Sequence, residues 1–304
     1  MTRELRAILI VAVVLLSAQA WSCSGARGTA PAPAARIPDR DKAQNAELGR
    51  QHKTALELFQ ALREEAKGGQ PLTANTIPDW SGVYSRPAKN NFTFDPDQPE
   101  NGMPTAKLTP EFQAKLLKRI EEVKRGIEWD PISTCSPPGH PRWLTEPFTR
   151  EFVVTPGQTW LINEMVNDIR RIYTDGRDHV PEADRYPVPD GDSIGFWDGP
   201  KLVIHTNQLQ AGIYQRSNPD YTDQVETVEI WRKSDPNTMS VDVWVYDPPA
   251  LAEPWYVQQT YGKLSDPDLR IRYWNCGENP NNSVFQNKDG TTEFRNLNFS
   301  KGKP

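Results

Sequence analysis

From about residue 143 to residue 275, apolar and polar side chains alternate with a period of two, the spacing of strands that bury one face. The alternation predicts strands at 150–154, 158–164, 168–174, 193–197, 201–206, 225–232, 240–246, 255–261 and 269–275. Pro156-Gly157, Asp175-Gly176 and Asp198-Gly199 fall between consecutive strands and read as hairpin turns. "IPDWSGVY" (77–84) reads as an earlier strand, with Trp80 and Tyr84 on one face. "VDVWVYDPP" sorts Val241, Val243 and Val245 against Asp242, Trp244 and Tyr246. An aromatic-plus-charged face of that kind suits the interior of a ligand-holding barrel, and also a solvent face with scattered aromatics.

Two stretches change to the helical period. Within 39–70, residues 40–67 carry Ala55, Leu56, Leu58, Phe59 and Leu62 at helical spacing, an amphipathic helix that must dock on something. "LTPEFQAKLLKRIEEVKRG" predicts an inserted helix over 109–126, with Thr109 as N-cap, Pro110 in the first helical position and Gly126 as the stop. Its lysines and arginines are interleaved with Glu121 and Glu122 and read as a solvated face. No repeat of 20–50 residues is present, which argues against a propeller or solenoid, and residues 77–300 are expected to form a single barrel-like domain.

Arg3 and Arg6 precede the apolar run "AILIVAVVLL" (7–16), which reads as a signal peptide over 1–22, followed by a small, Pro- and Ala-rich tether over 23–38. Two processing readings stand. "AQA" (18–20) is an ordinary cleavage site, whereas "AWSC" (20–23) is a loose lipobox in which Cys23 would carry lipid. The chain has three cysteines, and an odd thiol is awkward in an oxidising compartment. With Cys23 lipidated, Cys135 and Cys276 are free to pair, which in the chain-entropy account stabilises the fold by about 4–5 kcal/mol. The expected location is the periplasm or the outer membrane, with the protein held to the membrane by a lipid anchor if Cys23 is lipidated.

Composition narrows the class further. Ten Trp, nine Tyr and ten Phe supply a real core, and twenty-eight Pro with nineteen Gly favour an all-β chain rich in turns. The net charge of −5, without a dense basic run outside one helix, argues against nucleic acid.

The ordered stretches "DWSGVY", "LTPEFQAKL", "CSPPGHPR", "RRIYTDGRDH", "GDSIGFWDGPKLVIHT", "VETVEIWRK", "DPPALAEPW" and "WNCGEN" resemble a widespread family of exported bacterial proteins without an assigned function. The resemblance spans some 200 residues, and together with the strand pattern it implies a mainly β, antiparallel, lipocalin-like (calycin-type) barrel with one or two accessory helices. This chain departs from the family pattern in three places. His205 stands where the family has an acidic residue. Tyr221-Thr222-Asp223 replaces a His-Ser-Glu stretch. Asp178-His179-Val180 follows "DGR" where a small residue and His-Pro are usual. His179 is therefore kept and His205 reverses a charge type, which implies a different substrate or a lost step.

Candidate chemistry is sparse. The histidines at 52, 140, 179 and 205 show no metal-ligand spacing, and the cysteines form no CxxC, so no metal and no cofactor is expected. Ser193 in "GDSIG" lacks the setting of a nucleophile elbow. Arg177 and His179 lie two residues apart beyond a turn, as a grip on an anion or as partners of Asp175 and Asp178. His205 faces the barrel interior if Leu202 and Ile204 pack outward, and faces outward if they line the barrel. Glu229 on the neighbouring strand is its natural partner, and a buried His205–Glu229 pair could shuttle a proton. Trp197, Tyr214, Tyr221, Trp231, Trp244 and Trp255 are candidates to line a cavity, or core residues. The first expectation is a barrel that binds a hydrophobic or aromatic small molecule. The alternatives are a cofactor-independent acid–base enzyme (isomerase, lyase or dehydratase, cyclase, hydrolase) acting on such a molecule, and an envelope adaptor that docks through its N-terminal helix.

Overall fold

A computed structural model describes residues 34–90, 93–98, 103–127, 130–215, 218–276, 282–286 and 292–296. The expected signal peptide, the lipidation of Cys23 and the first part of the tether lie outside the described residues. From Arg36 onward the tether is fixed. The Arg36 and Ile37 N–H groups donate to the Asp198 carboxylate at 2.9 and 2.7 Å, and Lys201 Nζ donates to the Ile37 carbonyl at 2.7 Å.

The segment expected as one helix forms two, α1 (Lys42–Arg50) and α2 (Ala55–Glu65). The break is a start signal inside the periodic run. Thr54 is extended and its hydroxyl accepts from Glu57 N at 3.1 Å, while the Glu57 carboxylate accepts from Lys53 N at 2.7 Å. The inserted helix α3 (Pro110–Lys124) forms as expected, except that the Thr109 hydroxyl donates to the Pro249 carbonyl instead of capping.

Strands β1 (Tyr84–Ser85), β2 (Arg150–Val154), β3 (Gln158–Asn163), β4 (Asp168–Tyr173), β5 (Asp192–Asp198) and β6 (Lys201–Asn207) precede two short ones, β7 (Gly212–Ile213) and β8 (Asp220–Tyr221). Then come β9 (Glu226–Asp235), β10 (Thr238–Tyr246), β11 (Trp255–Lys263), and a hairpin of β12 (Asn282–Gln286) with β13 (Thr292–Asn296). Nine of them close into a barrel in the order β1-β11-β10-β9-β6-β5-β4-β3-β2. The protein is thus mainly β, a lipocalin-like closed barrel with accessory helices. Cys135 and Cys276 form a disulfide.

Three local expectations are corrected. Residues 77–83 do not form a strand; only Tyr84 and Ser85 pair, yet Trp80 and Tyr84 are buried as their spacing predicted. Residues 269–275 form no strand either, because β1 pairs with both β2 and β11 and leaves the barrel without a free edge. Asp175-Gly176 is not a hairpin turn. β4 and β5 run parallel, with Ile172 opposite Ser193 and Tyr173 opposite Ile194, so residues 174–191 are a crossover.

The barrel interior is filled. Leu202, Ile204, Trp231, Val241, Val243, Val245 and Tyr261 belong to one buried cluster with Trp143 and Phe152. Trp231 stacks on Tyr261 at 5.5 Å and meets Phe152 at 5.4 Å, and the Arg150 guanidinium lies 4.8 Å from the Tyr261 ring. The opposite face of the same strands is also dry, because α2 covers it. Ala55, Leu58, Phe59, Leu62 and Ala66 pack against Ile194, Phe196, Val203, Val228, Ile230, Trp244 and Tyr246. The Asp242–Trp244–Tyr246 face is therefore the barrel's exterior beneath the helices. The amphipathic helix docks on its own barrel rather than offering that face to a partner.

Candidate functional site

Register settles the fate of the expected pair. His205 lies opposite Val228 and Ile204 opposite Glu229, so Glu229 points inward with Ile204 while His205 points outward with Val228. His205 and Glu229 are on opposite faces of the sheet and form no pair.

Inside, Glu229 anchors a buried ionic network. Arg170 of β4 donates to it from Nη2 at 2.6 Å and Nη1 at 3.0 Å, and Trp231 Nε1 donates at 2.8 Å. Arg170 also donates to Thr206 Oγ1 at 2.6 Å, and His140 Nε2 lies 3.3 Å from the Glu229 carboxylate. Burial opposes the Glu229 charge, but the Arg170 guanidinium, helped by the Trp231 N–H, outweighs it and holds the carboxyl below its usual range. Burial first, and then the positive Arg170, push His140 down to about 3, so its imidazole is neutral. Arg170 Nε also donates to Ser193 Oγ at 3.3 Å, and Ser193 brings the edge of this network to the wall of a cleft of about 370 Å³.

Outside, His205 stands in a chain of four titratable groups. Asp192 Oδ2 is 2.7 Å from His179 Nδ1, His179 Nε2 is 2.7 Å from His205 Nδ1, and His205 Nε2 is 3.3 Å from Glu226 Oε2. The parallel crossover brings this about, laying His179 over the outer face beside β5 and β6. Gly191 (φ +64°) sets Asp192: a Cβ there would stand 2.3 Å from the Asn207 carbonyl oxygen. Phe59 of α2 roofs His205, with ring centres 5.6 Å apart. Burial pushes His205 below the ordinary imidazole value, against the pull of Glu226. Burial works against the charge of Asp192 too, but His179 and the Val180 N–H hold it below the usual carboxylate range.

Three hydrogen bonds link the four groups, and each needs one proton. Two neutral imidazoles supply two protons, so a fully bonded chain holds a third. That proton resides at Glu226, at His205 or at His179 according to how the bonds are polarised.

Each end of the chain lines a cleft. Glu226 opens into one of about 530 Å³, walled by Ala55, Pro187, Tyr246 and Pro248 and charged by Lys53, Arg185 and Asp223. Asp192 opens into one of about 370 Å³ together with Asp168, Asp190, Arg171 and Tyr173. Asp168 Oδ2 and Asp190 Oδ1 are both buried with no donor of their own. Burial first, and then the adjacent Asp190 carboxylate, push Asp168 up to about 9, so the two acids share a proton.

The remaining expected site residues scatter. Arg177 is exposed, paired with Asp175 at 2.6 Å, its guanidinium 4.1 Å from the Tyr173 ring, and does not join His179 in an anion grip. Tyr214, Trp255 and Phe94 pack ring against ring, with Tyr221 5.0 Å from Tyr214. Trp197 packs on Trp80 at 5.0 Å, and Trp231 is core. Trp244 lies outside the barrel and donates from Nε1 to the Asn45 carbonyl at 2.7 Å. These aromatics fill space; only Tyr221 also touches a described cleft, a third one of about 280 Å³. Among the described residues no group of three or more His, Cys, Asp or Glu is placed to hold a metal ion.

Asp192, Glu226, Arg170, Asp168 and Asp190 were not singled out by sequence. Glu226 had one available signal. It sits three residues before Glu229, an odd separation that puts the two glutamates on opposite faces of a strand. Comparison with protein-family models, curated proteins and solved structures finds no match for this chain. The site therefore rests on its geometry. "RRIYTDGRDH" supplies His179, "GDSIGFWDGPKLVIHT" supplies Asp192 and His205, and "VETVEIWRK" supplies Glu226.

Proposed function

We propose that the protein carries out cofactor-independent acid–base chemistry on a small molecule held in the cleft of Glu226, outside the barrel. One observation carries the reading: a continuous hydrogen-bonded chain of two imidazoles between two carboxylates ends on a carboxylate that lines a cleft. Glu226 is the group that meets the substrate. As a base it takes a proton from the bound molecule; as an acid it returns one to a different atom, and His205 behind it accepts or refills that proton. A group that alternates between the two roles fits isomerisation or dehydration. Ala55, Pro187, Tyr246 and Pro248 suit an apolar or aromatic body, and Lys53 and Arg185 suit an anionic group on it. The carrier reading loses support, because the expected lining aromatics pack together as core.

The test is solvent-deuterium exchange. Purified protein is incubated in D₂O with a panel of aromatic and alicyclic ketones, hydroxy acids and enol ethers bearing a carboxylate, and exchange at carbon is followed by NMR. At least one compound should exchange in the presence of the wild type, with a loss of roughly 100-fold or more in Glu226→Gln. Exchange by no member of the panel, or equal exchange by the variant, contradicts the reading.

A further inference from the structure

A molecule filling the first cleft would cover Glu226 and close its direct route to water. The chain behind it leads elsewhere. The Glu226 and Asp192 side chains are 29% and 18% exposed, His179 is 13% exposed and His205 1%, so the chain is driest at His205, directly behind Glu226. Asp192 emerges in the second cleft, a different opening from that of Glu226.

We propose that the second cleft is the proton port of the site, and that protons pass between it and Glu226 through His205, His179 and Asp192. The inference rests on the acid–base reading for the origin of the proton. The transfer itself involves hydrogen alone. The Glu226 O–H proton moves to His205 Nε2, the His205 Nδ1 proton to His179 Nε2, and the His179 Nδ1 proton to Asp192, which releases it to water in the second cleft. Three bonds break and three form along the chain, and a fourth proton transfer passes from Asp192 to water. Both imidazole protons then stand on Nε2, and the original chain returns when Asp192 takes a proton from the second cleft and the three transfers run backwards to Glu226. The charged groups around the path are Lys53, Arg185 and Asp223 at the first cleft, Asp168, Asp190 and Arg171 at the second, and Arg177, which interacts with Asp192. From α2 the neutral Phe59 ring meets His205. His179 and Asp192 are positioning and relay residues, since neither lines the first cleft.

The experiment is histidine ¹⁵N and glutamate ¹³C NMR titration of the wild type and Asp192→Asn. Groups joined by the relay titrate as a coupled set. Asp192→Asn should move the titration of His205, and of Glu226 three hydrogen bonds away, by roughly tenfold or more in acid constant. A through-space effect over that span is screened to less. If Asp192→Asn fails to fold, Glu226→Gln gives the reciprocal reading, since coupling must act equally in both directions and His179 must shift. A shift confined to the nearest neighbour in either variant overturns the relay. Coupling without deuterium exchange would overturn the acid–base function and leave the relay standing. Exchange without coupling would do the reverse.

Discussion

His179 Nε2 lies 2.7 Å from His205 Nδ1, and the two rings meet edge to face at 4.8 Å between centres. Two imidazole nitrogens stay that close only with a proton between them. The contact joins a crossover loop to a barrel strand, and it turns two separate carboxylate–histidine pairs into one chain of four groups.

The two glutamates of "VETVE" should behave oppositely on substitution. Glu229→Gln leaves the buried Arg170 charge short of its partner and should cost about 3–5 kcal/mol in urea unfolding. Glu226→Gln, at the rim of a cleft, should cost much less while removing the chemistry. Equal destabilisation by the two would contradict the assignment of one glutamate to scaffold and the other to function.

The barrel was legible because alternation by two is strong over long strands; eight of the nine strands predicted from residue 150 onward formed. The site was less legible because it depends on register. That His205 belongs with Glu226 rather than Glu229 follows from His205 lying opposite Val228, and no local pattern states which residue of one strand meets which of another. The loop of His179 reads as a hairpin in the sequence because Asp175-Gly176 has the right turn chemistry. The parallel pairing of β4 and β5 is a long-range fact. The N-terminal helices were read as one because period alone does not register the cap at Thr54.

Asp168 offers a pH-dependent difference. Its folded pKa, about 9, is raised above the ordinary 3.8, so above that ordinary value the unfolded chain ionises and the folded one does not. The wild type therefore loses stability as pH rises from about 4 towards 9. Asp168→Asn carries no such proton, and its stability relative to the wild type should climb with pH, by up to about 1.4 kcal/mol per unit. Chemical denaturation of both proteins at pH 5 and pH 8 checks this; a constant difference would contradict the shared proton.

Gly191→Ala should be among the costlier small substitutions. The residue has φ +64°, and its new Cβ would meet the Asn207 carbonyl oxygen at 2.3 Å and Leu209 Cδ2 at 2.8 Å. A loss of about 1–3 kcal/mol is expected in thermal or urea unfolding, with disturbed His179 resonances because Asp192 follows directly. A neutral effect would mean that Asp192 is not held as described.

The most direct measurement is the protonation state of the two imidazoles, read by ¹⁵N–¹H NMR of histidine-labelled wild-type protein at neutral pH. With Asp192 ionised and His205 neutral, His179 should carry a proton on Nδ1, and one proton, strongly downfield, should lie between the rings, on His205 Nδ1 if the third proton is at Glu226 or on His179 Nε2 if it is at His179. Finding His205 neutral with its proton on Nε2 and His179 protonated only on Nδ1 would leave the central bond without a proton, and the four-group chain would not exist.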